Sequence, residues 1–195
     1  MFFLVRHAAH GLVDRILCGR MPGISLGAEG RAQAERVARR LAREPIEAIH
    51  TSPLERARET AEPIASRLAI RPEVCEALNE IDVGDWAGRE FATLHDDPRW
   101  AFWNNARGQA RAPGGETMQE VQARIVGHMK KVRATYADKA VVLVSHADVI
   151  KAALLYFLGM PLEGYRLFDV SPASVSAVVI GDWGAKVVAM NEVPA

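Results

Sequence analysis

The sequence predicts an α/β fold built on a largely parallel sheet that closes with an antiparallel ribbon. Three observations carry this expectation. Short apolar runs alternate with amphipathic helical patterns from Phe2 to Leu158. Ala140–Val144 is a continuous, valine-rich run of the kind buried on both faces of a parallel sheet. Near the C-terminus, two β-rich runs, Val175–Ile180 and Lys186–Met190, are separated only by Gly181-Asp182-Trp183-Gly184, a hairpin signal.

Taken in order, Phe2–Val5 reads as a short buried strand, and Ala8–Ala28, with five glycines and prolines, as a long loop. From about Glu29 to Arg43 the apolar positions Ala34, Val37, Ala38 and Leu41 recur at helical spacing, with Arg and Glu on the other face. Pro45 stops that helix, and Ile46–His50 follows as a strand. Ser52-Pro53-Leu54-Glu55 predicts a helix start with Ser52 as N-cap, Pro53 at the first helical position and Glu55 completing a capping box. The stripe Ala57, Ala61, Ile64, Ala65, Leu68 carries that helix to about Ala69, and Val74 sits in a third short strand. Glu76–Gly115 shows no sustained period and holds Trp86, Trp100 and Trp103. A long irregular stretch of this kind is expected to be a binding loop or lid. Met118, Val121, Ile125, Met129, Val132 and Tyr136 mark an amphipathic helix, and Val149–Leu158 a helix that is apolar nearly all round, ended by Gly159-Met160-Pro161.

The 195 residues, with no repeat or linker, are read as one domain, 1–195, in which 82–115 form an irregular insert over the pocket. Lys plus Arg equal Asp plus Glu at 24 each, so no general nucleic-acid or membrane surface is expected. Cys18 and Cys75 form neither a disulfide framework nor a zinc motif, and the apolar N-terminus is too short for a signal segment. A cytoplasmic chain is expected. The oligomeric state is not legible.

Ligands of open parallel sheets bind beyond the carboxyl ends of the strands. Three polar segments fall there: Arg6-His7, Ser52 to Arg56, and Ser145-His146. Their chemistry is that of phosphoryl transfer. Arg6 and Arg56 supply planar cationic forks for peripheral phosphoryl oxygens. Helix N-termini after Ser52 and His146 add amide donors. A neutral imidazole can attack phosphorus, and nearby arginines disfavour its protonation. Glu80 is the natural acid for the leaving oxygen, with Asp82 and Asp85 as rivals.

These segments resemble the histidine phosphatase superfamily, the phosphoglycerate-mutase-like proteins, over nearly the whole chain. Leu4-Val5-Arg6-His7, Ser52-Pro53-Leu54-Glu55-Arg56-Ala57-Arg58-Glu59-Thr60-Ala61, Pro113-Gly114-Gly115-Glu116 and Ser145-His146-Ala147 are similar to its signatures, in the family's order. The resemblance implies a three-layer α/β/α sandwich and a phosphatase acting on a small-molecule phosphomonoester. It implies His7 as the nucleophile that becomes phosphohistidine, Glu80 as proton donor, and Arg6, Arg56 and His146 as phosphate ligands. It places Cys18, Gly19, Arg20 and Ala147 against substrate, and implies no cofactor or metal. The chain departs from the pattern at Ala8, Ala9-His10, Val13 and Ala147.

Other readings stand beside this one. A phosphoglycerate mutase uses similar residues, but its branch carries a different run where this chain has Glu80-Ile81-Asp82-Val83-Gly84. A metal-dependent hydrolase would recruit His7, His10 and His146 with Asp14 or Asp148, against the repulsion of two arginines. A non-catalytic phosphate-binding module would not need both His7 and Glu80. Arg58 is expected on a helix surface. His10, His50, His95, His128 and the tryptophans are expected in structural or surface positions.

Overall fold

The computed structural model describes all residues, 1–195. Six strands form one sheet: β1 (Phe2–Arg6), β2 (Ile46–Thr51), β3 (Glu73–Val74), β4 (Ala140–Ser145), β5 (Val175–Gly181) and β6 (Gly184–Glu192), in the order β3-β2-β4-β1-β5-β6. β1, β2, β3 and β4 are mutually parallel, while β5 runs antiparallel to both β1 and β6. The helices are α1 (Ala28–Leu41), α2 (Glu55–Leu68), α3 (Phe91–Leu94), α4 (Pro98–Asn105), α5 (Met118–Thr135) and α6 (Ala147–Phe157).

Strand alternation divides the core into two layers. Phe2, Leu4, Val141, Leu143 and Val178 pack with Met118, Val121, Ile125 and Met129 of α5 and with Val149, Ala153 and Leu154 of α6. Phe3, Val5, Val142, Val144 and Ala177 pack with Ala34, Val37 and Leu41 of α1 and with Ala57, Ala61 and Ile64 of α2. Both faces of β1 and β4 are thereby covered, which explains their unbroken apolar sequences. The result is the expected three-layer sandwich. The chain crosses from β1 toward β3 over one face and returns through α5 and β4 on the other. The ends of β1, β2 and β4 therefore gather at one rim near this reversal. Register places Arg6 beside Ser145, and Thr51 beside Val144.

Two local expectations are corrected. Ser52 is not the N-cap of α2: the extended residue before the helix is Leu54 (φ −71°, ψ 141°), and no side chain caps it. The Ser52 hydroxyl is committed to His146 instead, and the Glu55 carboxylate accepts from the Gly23 amide at 3.1 Å. The aperiodic stretch also contains helix. Pro98 opens α4 behind Asp97, whose side chain accepts from the Arg99 amide at 3.0 Å. Elsewhere α5 starts at a full capping box between Thr117 and Glu120. No helix is long and apolar enough to cross a membrane.

Candidate active site

The segment after β1 is held from two sides. Thr60 on α2 accepts from the Ala8 amide at 2.9 Å and donates to the Arg56 carbonyl at 2.7 Å. On α1, Gln33 accepts from the Ala9 amide at 2.9 Å. Gly30 lies so close that a Cβ there would stand 1.9 Å from the Ala9 carbonyl oxygen, so only glycine permits this approach. His7 is thus delivered to the rim on a fixed backbone and is buried.

His7 Nδ1 lies 2.9 Å from the carbonyl oxygen of Ala8. A carbonyl only accepts, so Nδ1 carries the proton and Nε2 keeps its lone pair. Burial, then Arg56 and Arg6, hold the His7 pKa well below the ordinary histidine value. The ring stacks on His10 at 5.4 Å and faces His146 at 5.1 Å between centroids. His10 therefore stands at the pocket, where its pKa falls to about 4 through burial and the same two arginines.

His146 follows β4 directly and is the extended residue before α6. Its Nε2 meets the Ser52 hydroxyl at 2.8 Å, and its Nδ1 is buried without a partner, 3.7 Å from Glu80 Oε2. The Ser52 hydroxyl has the Leu54 amide and His146 Nε2 as its partners, and of these only Nε2 can accept its proton, which places the His146 proton on Nδ1. Burial, then His7 and Arg56, keep this imidazole neutral.

The cationic groups are incompletely used. Arg6 Nη1 donates to the Val170 carbonyl and Arg56 Nη2 to the Gly19 carbonyl, both at 2.7 Å. Arg6 Nε and Arg56 Nε and Nη1 are buried with no partner. Four buried donor atoms, these three and His146 Nδ1, thus lack acceptors around His7, the arrangement an oxyanion would complete.

Glu80 is held by its backbone. Its carbonyl accepts from Arg20 Nε (2.7 Å) and Arg124 Nη2 (3.1 Å), and both guanidinium groups also bind the Glu116 carboxylate. The 3₁₀ turn Gly84–Trp86 locks onto Pro113-Gly114-Gly115: a Cβ on Gly84 would lie 2.0 Å from the Pro113 carbonyl oxygen. The carboxyl accepts from the Ile81 amide at 2.9 Å. Burial first, and Asp148 second, push its pKa up to about 7.

Arg6, His7, Cys18, Gly19, Arg56, Glu80 and Ala147 line a cavity of about 290 Å³, while His146 is fully buried beside His7 and Glu80 and is not on the wall itself. Arg20 is not on its wall; it serves the Glu80 backbone and lies 3.9 Å from Asp82. The remaining wall holds Trp100, Trp103, Asn104, Arg107, Asp148 and Tyr165. Sequence reasoning finds no role for Arg107, which sits just past α4 in the aperiodic stretch. Asp148, which the sequence suggested only as a metal ligand in the alternative reading, lies on the wall two residues beyond His146. Of the other histidines, His50 packs against His128 at 5.1 Å, within the layer around α5. No group of three or more His, Cys, Asp and Glu side chains is arranged to hold a metal ion.

Residues 2–193 match the family model of the histidine phosphatase superfamily, branch 1. The uncharacterized protein Rv0525 of Mycobacterium tuberculosis is 37% identical over 186 residues, covering 90% of this chain and 88% of that protein. Phosphoserine phosphatase 1 of Hydrogenobacter thermophilus is 30% identical over 180 residues, 90% of this chain and 84% of that one. Among solved structures, the mycobacterial glucosyl-3-phosphoglycerate phosphatase Rv2419c superposes with a TM-score of 0.88 at 25% identity, covering 98% of both chains.

Proposed function

Because the chain belongs to the histidine phosphatase superfamily and is a phosphoric monoester hydrolase, we propose that it works in two steps through His7, with Glu80 as acid and then base. The observation that carries this reading is the ring of unpartnered buried donors around the free Nε2 lone pair of His7. Arg6, Arg56 and His146 Nδ1 take the peripheral phosphoryl oxygens. His7 Nε2 attacks phosphorus in line with the leaving oxygen. The phosphorus–oxygen bond breaks, and Glu80 gives its proton to the departing alkoxide. Water then enters where the alcohol left, loses a proton to Glu80 and attacks the phosphohistidine, returning His7 neutral and releasing inorganic phosphate.

The raised pKa of Glu80 fits this double duty, since near pH 7 both of its protonation states are populated. A phosphate dianion beside it raises the pKa further, which favours the acid form in the first step. The substrate is a small phosphomonoester, in keeping with a cavity of about 290 Å³, at the small end for ligand sites. The relatives named above include phosphatases whose names specify phosphoserine and glucosyl-3-phosphoglycerate, so membership alone does not choose the alcohol. A reducing cytoplasmic setting is supported by Cys18 and Cys75, both free thiols.

Leaving-group dependence tests the assignment of Glu80. An alkyl phosphate needs a proton on its leaving oxygen, whereas p-nitrophenolate departs with little help. Glu80→Gln is expected to lower turnover of alkyl phosphates by about 100-fold or more. It should spare the first step on p-nitrophenyl phosphate, so that nitrophenol appears as a burst. Equal losses on both esters, with no burst, would move the acid role to Asp82 or Asp85.

A further inference from the structure

The cavity carries a second set of unfilled polar atoms, away from the phosphoryl cradle. Arg107 is 5% exposed and lies on the wall. Its guanidinium packs over the rings of Trp103 (4.6 Å) and Tyr165 (4.1 Å), which hold its plane but accept no conventional hydrogen bond. Nη2 donates to Asn104 Oδ1 at 3.1 Å, while Nε and Nη1 are buried and have no partner. Facing it is Asp148, in the first turn of α6. Asp148 Oδ1 is also buried and unpartnered, 3.8 Å from Arg107 Nη1. That separation gives electrostatic attraction but no hydrogen bond.

A buried cation and a buried anion that leave hydrogen-bonding capacity unused are costly unless something else completes them. The phosphoryl oxygens are already provided for by Arg6, Arg56 and His146. What remains on this wall is therefore aimed at the alcohol part of the ester. Arg107 offers donors to an anion, and Asp148 offers an acceptor to a cation. A leaving group with only a carboxylate would satisfy Arg107 but meet the charge of Asp148. One with only an ammonium would meet the reverse conflict, and a neutral polyol would satisfy neither charge fully.

We propose that Arg107 and Asp148 form a leaving-group subsite that selects compact phosphomonoesters whose alcohol carries both a carboxylate and an ammonium, as an α-amino acid does. The assignment rests on the phosphatase reading above and adds to it the class of alcohol. The aromatic wall of Trp103 and Tyr165 fixes the orientation of the cation.

The test is a comparison of kcat/KM for O-phospho-L-serine, O-phosphoethanolamine, 3-phosphoglycerate and sn-glycerol 3-phosphate, with p-nitrophenyl phosphate as reference. The wild-type enzyme should prefer O-phospho-L-serine to glycerol 3-phosphate by about 10-fold or more, with the singly charged esters between them. Arg107→Leu and Asp148→Asn should each lower the ratio of phosphoserine to sn-glycerol 3-phosphate by about 10-fold, a comparison between two alkyl esters that cancels the effect of Asp148 on the Glu80 proton. Arg107→Lys should retain part of the ratio. A misfolded fraction scales all substrates alike and leaves these ratios untouched, so loss of folding does not imitate the result. A wild-type enzyme indifferent to the alcohol's charges, or an Arg107→Leu enzyme with unchanged ratios, would overturn the subsite while leaving the phosphatase reading in place. No turnover of any ester, the reference included, would overturn both.

Discussion

His7 and Glu80, the proposed nucleophile and acid, share one pocket that shifts their pKa values in opposite directions. The Ala8 carbonyl fixes the histidine tautomer, and burial with Arg56 and Arg6 keeps the ring unprotonated. Burial and Asp148 act the other way on Glu80, keeping its carboxyl protonated up to about pH 7. This has a consequence for stability. An unfolded glutamate ionises near its ordinary value, whereas native Glu80 holds its proton to about 7. The native state thus binds more protons in that window, and its stability falls as pH rises through it. Glu80→Gln removes the penalty, so the variant's stability relative to wild type should rise by on the order of 2 kcal/mol between pH 4.5 and 8. Urea unfolding at several pH values measures this; a constant difference would mean that Glu80 titrates normally. At this scale Arg6, His7, Arg56 and His146 were legible because each sits in a short signature at a strand end. Arg107 was not, because no period or motif surrounds it, and Arg20 was misplaced because nothing local reveals that its partners are Glu116 and the Glu80 carbonyl.

At the scale of elements, the site depends on how α1 and α2 grip the segment after β1. Gln33 and Thr60 bond two successive amides, and Gly30 allows the Ala9 carbonyl to lie against α1. Gly30→Ala would ordinarily favour a helix by about 1 kcal/mol. Here its methyl must displace Ala9, and with it His7 and His10. The variant is expected to fold, to lose about 10-fold or more in kcat, and to show a smaller change in KM, because misplacing the proposed nucleophile costs more than loosening the phosphate. Steady-state kinetics with a thermal melt would check it, and wild-type kcat would show that the clamp is dispensable. Helix periodicity disclosed α1, α2, α5 and α6, but helix starts were less readable. Ser52-Pro53-Leu54-Glu55 has the composition of a capping box, yet His146 claims the Ser52 hydroxyl. That contact spans 94 residues and has no local signal. Conversely α4, which opens at Asp97-Pro98, was not expected, because its segment has no sustained apolar period and Trp100 and Trp103 are held there by edge-to-face packing on Trp86.

For the whole molecule, the sheet order β3-β2-β4-β1-β5-β6 explains why residues 6, 56, 80 and 146 meet. Three parallel strands end at one rim, and the chain reverses its direction across the sheet beside β1. The alternation of apolar runs with helical stripes was enough to predict this class of fold, because strands buried on both faces leave a plain record in sequence. The wall contributed by α4 and the turn after it was not predictable, since it depends on Trp86, Trp100 and Trp103 packing together rather than on any repeating pattern. In the proposed mechanism the phosphoryl group passes through His7. Rapid quenching of Glu80→Gln with phosphorus-labelled p-nitrophenyl phosphate, whose first step does not need the acid, followed by mapping of the labelled peptide, is the decisive measurement. The label is expected on His7, lost in acid and kept in base, with stoichiometry approaching one per chain, and absent from His7→Ala. Label on another residue, or near-normal turnover by His7→Ala, would contradict it.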